Sequence, residues 1–480
     1  MNFTEQHPQE ILGILHGFDR ILIRGTITKF FYPNGMMYYL SRTNTLLKDF
    51  PVLAEAQTKA LREHLEKLAG QSGVTIQYLN SSSIDKEALA KKALAQDPKK
   101  TGLIAAFNAL EVSPSFTVRS NGQSKRLEIR NEYRQHLHYY FYYMDEEFGW
   151  MYVRIQSWYP FSMQIYVNGK EWLKRQLDRE GIAYQEYKNS ITWAADLKRA
   201  QELSDTLVQK NWQRFGDVFA RRLNLHLGMI EQAVGEGYRW SLHQVEYATD
   251  VLFKRQDYLE ELFPRLVQHS LLFKGGEDIY TFFGRSLAPQ SKAEVTGSTK
   301  RFDSGFRVKH FLDKNSIKMY NKGSVLRIET TINNSKAFQI FKDVNKHNGQ
   351  TIQAWGPMGK GVSNLYRYAQ VAQRANLKYL QGLVDVKPPS TLLKKVENIS
   401  QPIVVKSRNG NDRKVPGFNL LTKSTSLILE ATNDSRFCLK AFGNATLRQV
   451  LIQKGVLQLN EQDPSNLKKL ANKVTRLIAK

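Results

Sequence analysis

The sequence predicts a multidomain α+β fold, on three observations. The chain has 480 residues, more than a single small domain needs. Apolar residues make up 41% and charged residues 24%, so most of the chain can bury a core. Segments with helical periodicity surround residues 115–168, where apolar and polar residues alternate. We therefore expect aromatic-rich antiparallel sheets, helical segments and a C-terminal helix-turn-helix or winged-helix-like unit.

Residues 1–114 are predicted to form an α/β region. The segment LHGFDRILIRGTITKFFYPNG alternates in polarity and breaks at Gly25, which indicates paired strands before a turn at Pro33-Asn34-Gly35. Residues 50–68 have helical spacing, GVTIQYL is typical of a short strand, and IDKEALAKKALAQD is rich in helix formers.

Residues 115–200 are predicted to form an aromatic β-meander followed by a helix. Asn121-Gly122 and Asn168-Gly169 stand next to alternating runs, a strong hairpin signal. The runs HLHYYFYYMD and WMYVRIQSWYPFSMQIYV are dense in Tyr and Trp. Two interpretations stay open: the rings form the core and rim of the sheet, or they form a stacking platform for unpaired bases.

Residues 201–400 are predicted to combine a helical region with a basic antiparallel sheet. The stretch from Lys170 to Gln256 is helix-rich, and helical spacing resumes over 258–269 and 278–283. Residues 306–333 indicate three short strands joined by turns at 313–315 and 321–324. Period-two alternation gives these strands one apolar face and one polar face, the latter carrying Arg307, Lys309, Lys318, Tyr320, Lys322, Arg327, Glu329 and Thr331.

Residues 401–480 follow a Pro-rich linker and include a basic stretch, KSRNGNDRKVPG. Short helices with a tight break indicate a helix-turn-helix or winged-helix-like DNA-binding unit, although a plain helical bundle also fits. The last helix would present four cations as nucleic-acid contacts: Lys468, Lys469, Lys473 and Arg476.

The charge balance predicts a polyanionic partner. There are 69 Lys and Arg against 45 Asp and Glu, a formal net charge of +24. No run approaches the ~20 apolar residues of a membrane span, and the N-terminus lacks a signal-peptide pattern, so we expect a cytoplasmic protein without a membrane partner. The one cysteine, Cys438, argues against disulfides and cysteine-ligated metals. Usual phosphate-loop and dinucleotide motifs are missing, and no nucleotide, flavin, haem or zinc-cysteine site is expected.

Cations along a strand can follow a phosphate backbone and release its counterions. The segment from Lys300 to Arg327 contains eight Lys or Arg residues and only two Asp residues. This excess of positive charge is larger than we expect for a face that is only exposed to solvent. The predicted nucleic-acid contacts in this segment are Arg301, Arg307, Lys309, Lys318, Tyr320, Lys322 and Arg327.

Glu329 is the single carboxylate of this face and has two interpretations: a salt-bridge partner of nearby cations, or a ligand of Mg²⁺ for phosphodiester chemistry. The string KMYNKGSVLRIE resembles a strand pair of some rolling-circle replication initiators, in which the glutamate helps bind the catalytic metal. In those enzymes a tyrosine on a later helix attacks the phosphate. The resemblance implies Glu329 as ligand and Tyr366, Tyr368 or Tyr379 as nucleophile.

More broadly, GFDRILIRGT, HYYFYYMDEEFG, NGKEWL, YATDVLF and NSIKMYNKGSVLRIETTIN resemble an uncharacterised bacterial protein family of similar length. That family has a C-terminus similar to a winged helix. The present chain ends in or just after a basic helix, where a wing would be expected, so the resemblance allows for a truncated unit.

Two further metal sites are possible. His136 and His138 resemble the His-hydrophobic-His strand of nickases, whose imidazoles share one face and bind a divalent metal, but they could equally be rim histidines of the aromatic sheet. Asp19 could join Glu329 and Asp250 in a carboxylate cluster similar to that of RNase H, which holds two Mg²⁺ ions. Asp250 could instead be a helix cap or a turn residue.

These patterns predict a protein that binds nucleic acid, with DNA favoured, and that belongs to a mobile or replicating element. The catalytic interpretation is that the protein is a Mg²⁺-dependent strand nickase or transferase. The alternative is a non-catalytic binder of structured RNA or single-stranded nucleic acid.

Overall fold

The chain divides into two units, each assembled from separated stretches of sequence. The cationic unit comprises Met1–Ile14, Thr249–Thr330 and Gln373–Lys480, and the aromatic unit comprises Leu15–Ala248 and Thr331–Ala372. The computed structural model describes residues 3–98, 100–272, 296–302, 305–345, 351–384, 400–406, 412–417, 419, 431 and 444–453. Antiparallel sheets and helices are both abundant, which confirms the predicted α+β class.

The described residues form helices and strands in the following chain order: α1 Phe3–Gln6, β1 Ile11–Ile27, α2 Pro33–Arg42, α3 Phe50–Gln71, β2 Ile76–Leu79, α4 Lys86–Gln96, β3 Gly102–Ser120, β4 Leu127–Asp145, β5 Gly149–Gln156, β6 Met163–Asn168, α5 Gly169–Arg179, β7 Tyr184–Glu186, β8 Ile191–Ala194, α6 Leu197–Asp205, α7 Trp212–Leu223, α8 Leu227–Val234, β9 Tyr238–Phe253, α9 Gln256–Leu272, β10 Thr296–Phe302, β11 Gly305–Leu312, β12 Asn315–Lys322, β13 Val325–Ile332, β14 Gln339–Asn345, β15 Thr351–Pro357, α10 Leu365–Gly382, β16 Ile403–Lys406, β17 Asp412–Val415 and α11 Asn444–Gln453.

The sheet of the aromatic unit has the strand order β9-β1-β6-β5-β4-β3-β2, with β2 parallel to β3. The predicted meander is confirmed in β4, β5 and β6, which pair antiparallel in sequence order. The turn at Asn121-Gly122 joins β3 and β4 as predicted. Asn168-Gly169 instead begins a helix, because the Asn168 side chain accepts hydrogen bonds from the backbone N–H groups of Lys170 and Glu171.

β1 is one strand of 17 residues, so the prediction of two paired strands that break at Gly25 is wrong. Gly25 pairs with Met163 of β6 and lies against the indole ring of Trp240. A Cβ atom built on Gly25 would lie 2.7 Å from that ring, and one on Gly216 of α7 would lie 2.3 Å from it. The glycine at position 25 therefore makes room for a buried tryptophan rather than a turn.

In the cationic unit the strand order is β10-β11-β12-β13, followed by the last residues of β9. The three strands predicted over 306–333 are confirmed as β11, β12 and β13. Asp313 and Gly323 occupy the two turns with positive φ angles of 53° and 59°. The prediction of a helix-rich stretch from Lys170 to Gln256 misses the 16-residue strand β9, while the helix predicted over 258–269 is confirmed as α9.

Within the described part of the C-terminal region, β16 pairs with β17, and α11 confirms the predicted helix NATLRQVLIQ. The remaining predicted helices of the winged-helix-like unit lie outside the described residues. The same holds for Cys438, for the stretch 278–283 and for the cations Lys468, Lys469, Lys473 and Arg476. Among the described helices, we find no segment with the length and apolarity that a bilayer crossing requires.

Candidate nucleic-acid interface

The four strands β10–β13 carry many cations and one carboxylate. Their sequences contain seven lysines and arginines, whereas Glu329 is the single acidic residue. The cations are Lys300, Arg301, Arg307, Lys309, Lys318, Lys322 and Arg327. The side chain of Arg301 lies outside the described part, although its backbone belongs to β10.

The register of the strands aligns the cations in rows. Lys300 is directly opposite Arg307, Arg307 is opposite Tyr320, and Lys309 is opposite Lys318. Directly opposite residues of an antiparallel pair share a face, so these side chains form one surface, which we call the cationic face. The reverse side of the same strands is apolar and fully buried at Val308 and Met319.

Exposure falls along the cationic face from β10 toward β13. Lys300 is exposed, Lys309 and Lys318 are partly buried, and Glu329 and Arg327 are buried. Lys309 Nζ lies 4.2 Å from the ring centre of Phe311, and Lys322 Nζ lies 5.6 Å from that of Tyr320. The aromatic rings thus support the ammonium groups of the partly buried lysines.

Glu329 is a salt-bridge partner in this structure. Lys318 Nζ donates to its Oε1 at 2.5 Å, and the Tyr320 hydroxyl donates to its Oε2 at 2.5 Å. Burial acts to raise the pKa of Glu329, but the charges of Lys318 and Arg327 and these two hydrogen bonds outweigh burial, so the pKa is lowered. The carboxylate is therefore ionised at neutral pH and already engaged by two donors.

The prediction that Arg327 lies on an open face is wrong. Its guanidinium is fully buried and forms a bidentate pair with Asp250 of β9. Since an isolated buried charge is costly, the arginine and the aspartate neutralise each other's charge in the interior. Asp250 is accordingly a strand residue in the core, neither a helix cap nor a turn residue.

The three candidate tyrosines differ in accessibility. Tyr366 is exposed, and its hydroxyl accepts a hydrogen bond from Arg367 Nε at 2.7 Å. Tyr368 is buried, which raises its pKa to about 12. Tyr379 is completely buried, its hydroxyl lies 3.1 Å from His310 Nε2, and burial raises its pKa as well. Tyr368 and Tyr379 are thus placed as core residues in this arrangement.

His136, His138 and Asp19 all lie in the aromatic unit. The ring of His136 stacks on Trp158 with centroids 5.1 Å apart, and His138 is buried. Burial lowers the pKa of each histidine to about 4, so both are neutral at pH 7. In the described ranges, neither histidine belongs to a group of three potential metal ligands. Asp19 accepts a hydrogen bond from Asn189 at 3.1 Å.

Four of the five tyrosines of β4 are buried, whereas Tyr133 is exposed. Tyr139, Tyr140, Tyr142 and Tyr143 are all buried. Sequence reasoning missed that Tyr142 shares a cavity with Tyr residues of β5 and β6 and with Arg20. The alternation of Tyr140 and Tyr142 could have indicated one shared face, but the neighbours across the strands could not be assigned.

Comparisons with known proteins find little likeness. No protein-family model matches the chain, and no curated protein matches it. Among solved structures, the crystal structure of the di-domain ARO/CYC BexL from the BE-7585A biosynthetic pathway is 10% identical, covering 62% of this chain and 94% of that one, with a TM-score of 0.11. A TM-score of this size supports no conclusion about fold or function.

Proposed function

We propose that the protein binds nucleic acid through contacts between the cationic face and the phosphate backbone. The observation that carries the proposal is the register of β10, β11 and β12, which puts Lys300, Arg307, Lys309 and Lys318 on one surface. DNA of a mobile or replicating element in the cytoplasm is the proposed partner. RNA is the alternative, and a binding experiment with both nucleic acids separates the two.

The geometry of a strand suits this task. Residues two apart, such as Arg307 and Lys309, are separated by about 6.6 Å along a strand, and neighbouring strands lie about 4.8 Å apart. Phosphates of one DNA strand advance by about 3.4 Å each along the helix axis. Two cations at this spacing can both contact the phosphate backbone without any contact to a base, which favours sequence-independent affinity.

The contacts of Glu329 support binding without catalysis. Each of its two oxygens faces a donor, Lys318 Nζ or the Tyr320 hydroxyl, and the ammonium group would repel a cation placed beside it. Asp250 is likewise occupied by Arg327. Both carboxylates are engaged by cations in this structure, and the catalytic function as a Mg²⁺-dependent nickase stays a prediction that binding by the cationic face does not require.

The test is the salt dependence of binding to single-stranded DNA, duplex DNA and RNA of the same sequence, measured by fluorescence anisotropy with the whole protein. The double variant Lys300→Ala/Lys309→Ala should weaken binding to all sequences. On duplex DNA it should flatten the slope of log K against log salt by roughly 0.9 for each phosphate that the protein no longer neutralises. The control Lys67→Ala removes an exposed lysine of α3 in the aromatic unit and should leave the slope unchanged. An equal slope in the double variant and the wild type would refute the cationic face as the phosphate-binding surface.

A further inference from the structure

The aromatic unit contains a cavity of about 250 Å³ that the proposed function does not use. One wall is the sheet face of β1, β4, β5 and β6, and the other is formed by residues 84–87 at the start of α4. The side chains that matter for its chemistry are Arg20, Lys86, Tyr140, Tyr142, Tyr152 and Tyr166.

Three tyrosine hydroxyls in this cavity lack a partner among the residues that the structure describes. Tyr140 donates to Glu111 Oε1 at 2.5 Å, whereas the hydroxyls of Tyr142, Tyr152 and Tyr166 form no hydrogen bond to any described residue. Tyr142 and Tyr166 are only 4% and 7% exposed. These residues line the cavity, and their hydroxyls are not among the fully enclosed unpaired atoms of the described residues, so they can hydrogen-bond a molecule that binds there.

The rings form stacking surfaces around the same space. Tyr152 and Tyr166 are stacked, with centroids 5.3 Å apart and planes at 20°, and Tyr142 lies 5.4 Å from Tyr152. The Arg20 guanidinium lies 5.3 Å from the ring centre of Tyr166. A planar aromatic ligand would find both π-faces and hydroxyl donors and acceptors in this cavity.

Charge and volume narrow the ligand class. Two cations, Arg20 and Lys86, are balanced by two carboxylates, Asp85 and Glu87, so the lining has no net charge that would select a phosphate. The volume is below the roughly 300–1,000 Å³ of pockets for drug-sized ligands. A neutral heterocycle with several hydrogen-bonding groups fits both limits.

We infer that this cavity binds a single unpaired nucleobase. The inference rests on the proposed function, because the base would come from a bound nucleic-acid strand. Phosphate contacts elsewhere would hold the strand, and one of its bases would unstack and enter the cavity. The tyrosine hydroxyls would bond to the edge of the base, and its plane would pack against the tyrosine rings that line the cavity. Because a hydroxyl can donate or accept, the cavity would tolerate more than one base.

The experiment is an NMR titration of the whole protein with the four free deoxynucleosides. At least one should bind, and Tyr142→Phe/Tyr166→Phe, which keeps the rings and removes two hydroxyls, should weaken that binding at least tenfold. The matched control is Tyr143→Phe: Tyr143 is on β4 too, but it contacts Phe219 of α7. The control should bind as the wild type does, and a thermal unfolding curve should verify that all three proteins are folded.

The same proteins are then titrated with a single-stranded oligonucleotide, so that the two proposals can fail separately. We expect the double variant to bind the oligonucleotide more weakly with an unchanged salt slope, since every phosphate contact is retained. Oligonucleotide binding without nucleoside binding would overturn the proposal of a base-binding cavity, and so would nucleoside binding that the double variant retains. Neither result would contradict phosphate binding by the cationic face. Nucleoside binding that the double variant loses, without oligonucleotide binding, would support the cavity and refute the cationic face.

Discussion

Asp250 and Arg327 form a bidentate ion pair that is completely shielded from solvent. Arg327 Nε donates to Oδ1 of Asp250 at 2.6 Å and Nη2 donates to Oδ2 at 2.9 Å, and both side chains are 0% exposed. The pair joins β9 to β13 inside the cationic unit. An arginine in this position fixes the sheet and does not touch a phosphate.

Arg327→Ala should lower the free energy of unfolding by about 3–5 kcal/mol, because it leaves the Asp250 carboxylate buried without its partner. Urea denaturation measures this change. The control is Arg119→Ala, which breaks a solvent-screened surface pair with Glu132: Arg119 is 54% exposed, so its loss should be much smaller than that of Arg327→Ala. The joint change Arg327→Met/Asp250→Leu should cost less than Arg327→Ala alone. Equal losses for Arg327→Ala and Arg119→Ala would contradict the buried pair.

Glu329→Gln should lower stability by about 1–3 kcal/mol at pH 7, since Lys318 loses its charged acceptor. The folded pKa of Glu329 is lowered, so the ion pair contributes fully above the unfolded pKa of about 4.3 and is lost as the pH falls below it. The difference between wild type and variant should therefore shrink in acid. The same two proteins should also be tested for Mg²⁺-dependent DNA cleavage. Cleavage by the wild type that Glu329→Gln abolishes would favour the metal-ligand interpretation.

His310→Gln should remove part of the acid sensitivity of the protein. Burial lowers the pKa of His310 to about 4, so it stays neutral in the folded protein while the unfolded chain takes up a proton below about pH 6.5. Stability therefore falls as the pH drops from 6.5 to 4, by on the order of 3 kcal/mol for this one group. At pH 5, unfolding of the variant should take up about one proton fewer than unfolding of the wild type. Equal uptake would show that His310 is accessible.

Gly216→Ala should destabilise the protein although alanine is the better helix former. The new Cβ atom would lie 2.3 Å from the Trp240 ring, and such overpacking costs roughly 1–3 kcal/mol. The matched control is Gly70→Ala in α3, where nothing lies within 4 Å of the new Cβ atom. That change should stabilise by up to about 1 kcal/mol through helix propensity. Thermal unfolding of the two variants should shift in opposite directions.

Tyr140→Phe and Tyr142→Phe should differ in sign or size, although the two residues are neighbours on one strand face. Tyr140→Phe loses a hydrogen bond to the charged Glu111 and should cost about 1.5–3 kcal/mol. Tyr142→Phe removes a hydroxyl that has no partner within the described residues, so its free energy of unfolding should stay within about 0.5 kcal/mol of wild type or rise. A large loss for Tyr142→Phe would mean that its hydroxyl is satisfied in the unliganded protein.

The sequence was most informative where one face of a strand is apolar and the other polar. Period-two alternation over 306–333 predicts β11, β12 and β13 correctly, because Val308, Ile317 and Ile328 face a core. It fails for β9, whose residues Tyr247–Phe253 are buried on both faces and therefore do not alternate. A buried run of this kind has no periodicity that separates a strand from a helix.

Partners far apart in the sequence could not be predicted. The alternation puts Arg327 and Glu329 on one face, but nothing local says that Asp250, 77 residues away, neutralises the arginine. The prediction of a break at Gly25 fails for the same reason, since the tryptophan that requires a glycine there follows far along the chain. The tyrosine-rich runs indicate aromatic strands, whereas the cavity depends on how four strands and α4 align.

The discontinuous make-up of the cationic unit has a consequence for synthesis on the ribosome. The backbone N–H of Lys254 donates to the carbonyl of Glu10, and Arg255 reaches the Glu10 carboxylate across 245 residues of chain. At roughly 5–20 residues per second, the first strand residues wait on the order of 10–50 s for these partners to emerge. During that interval the nascent edge of β1 is open to wrong pairing, so a chaperone that shields it should raise the yield of native protein in a cell-free translation.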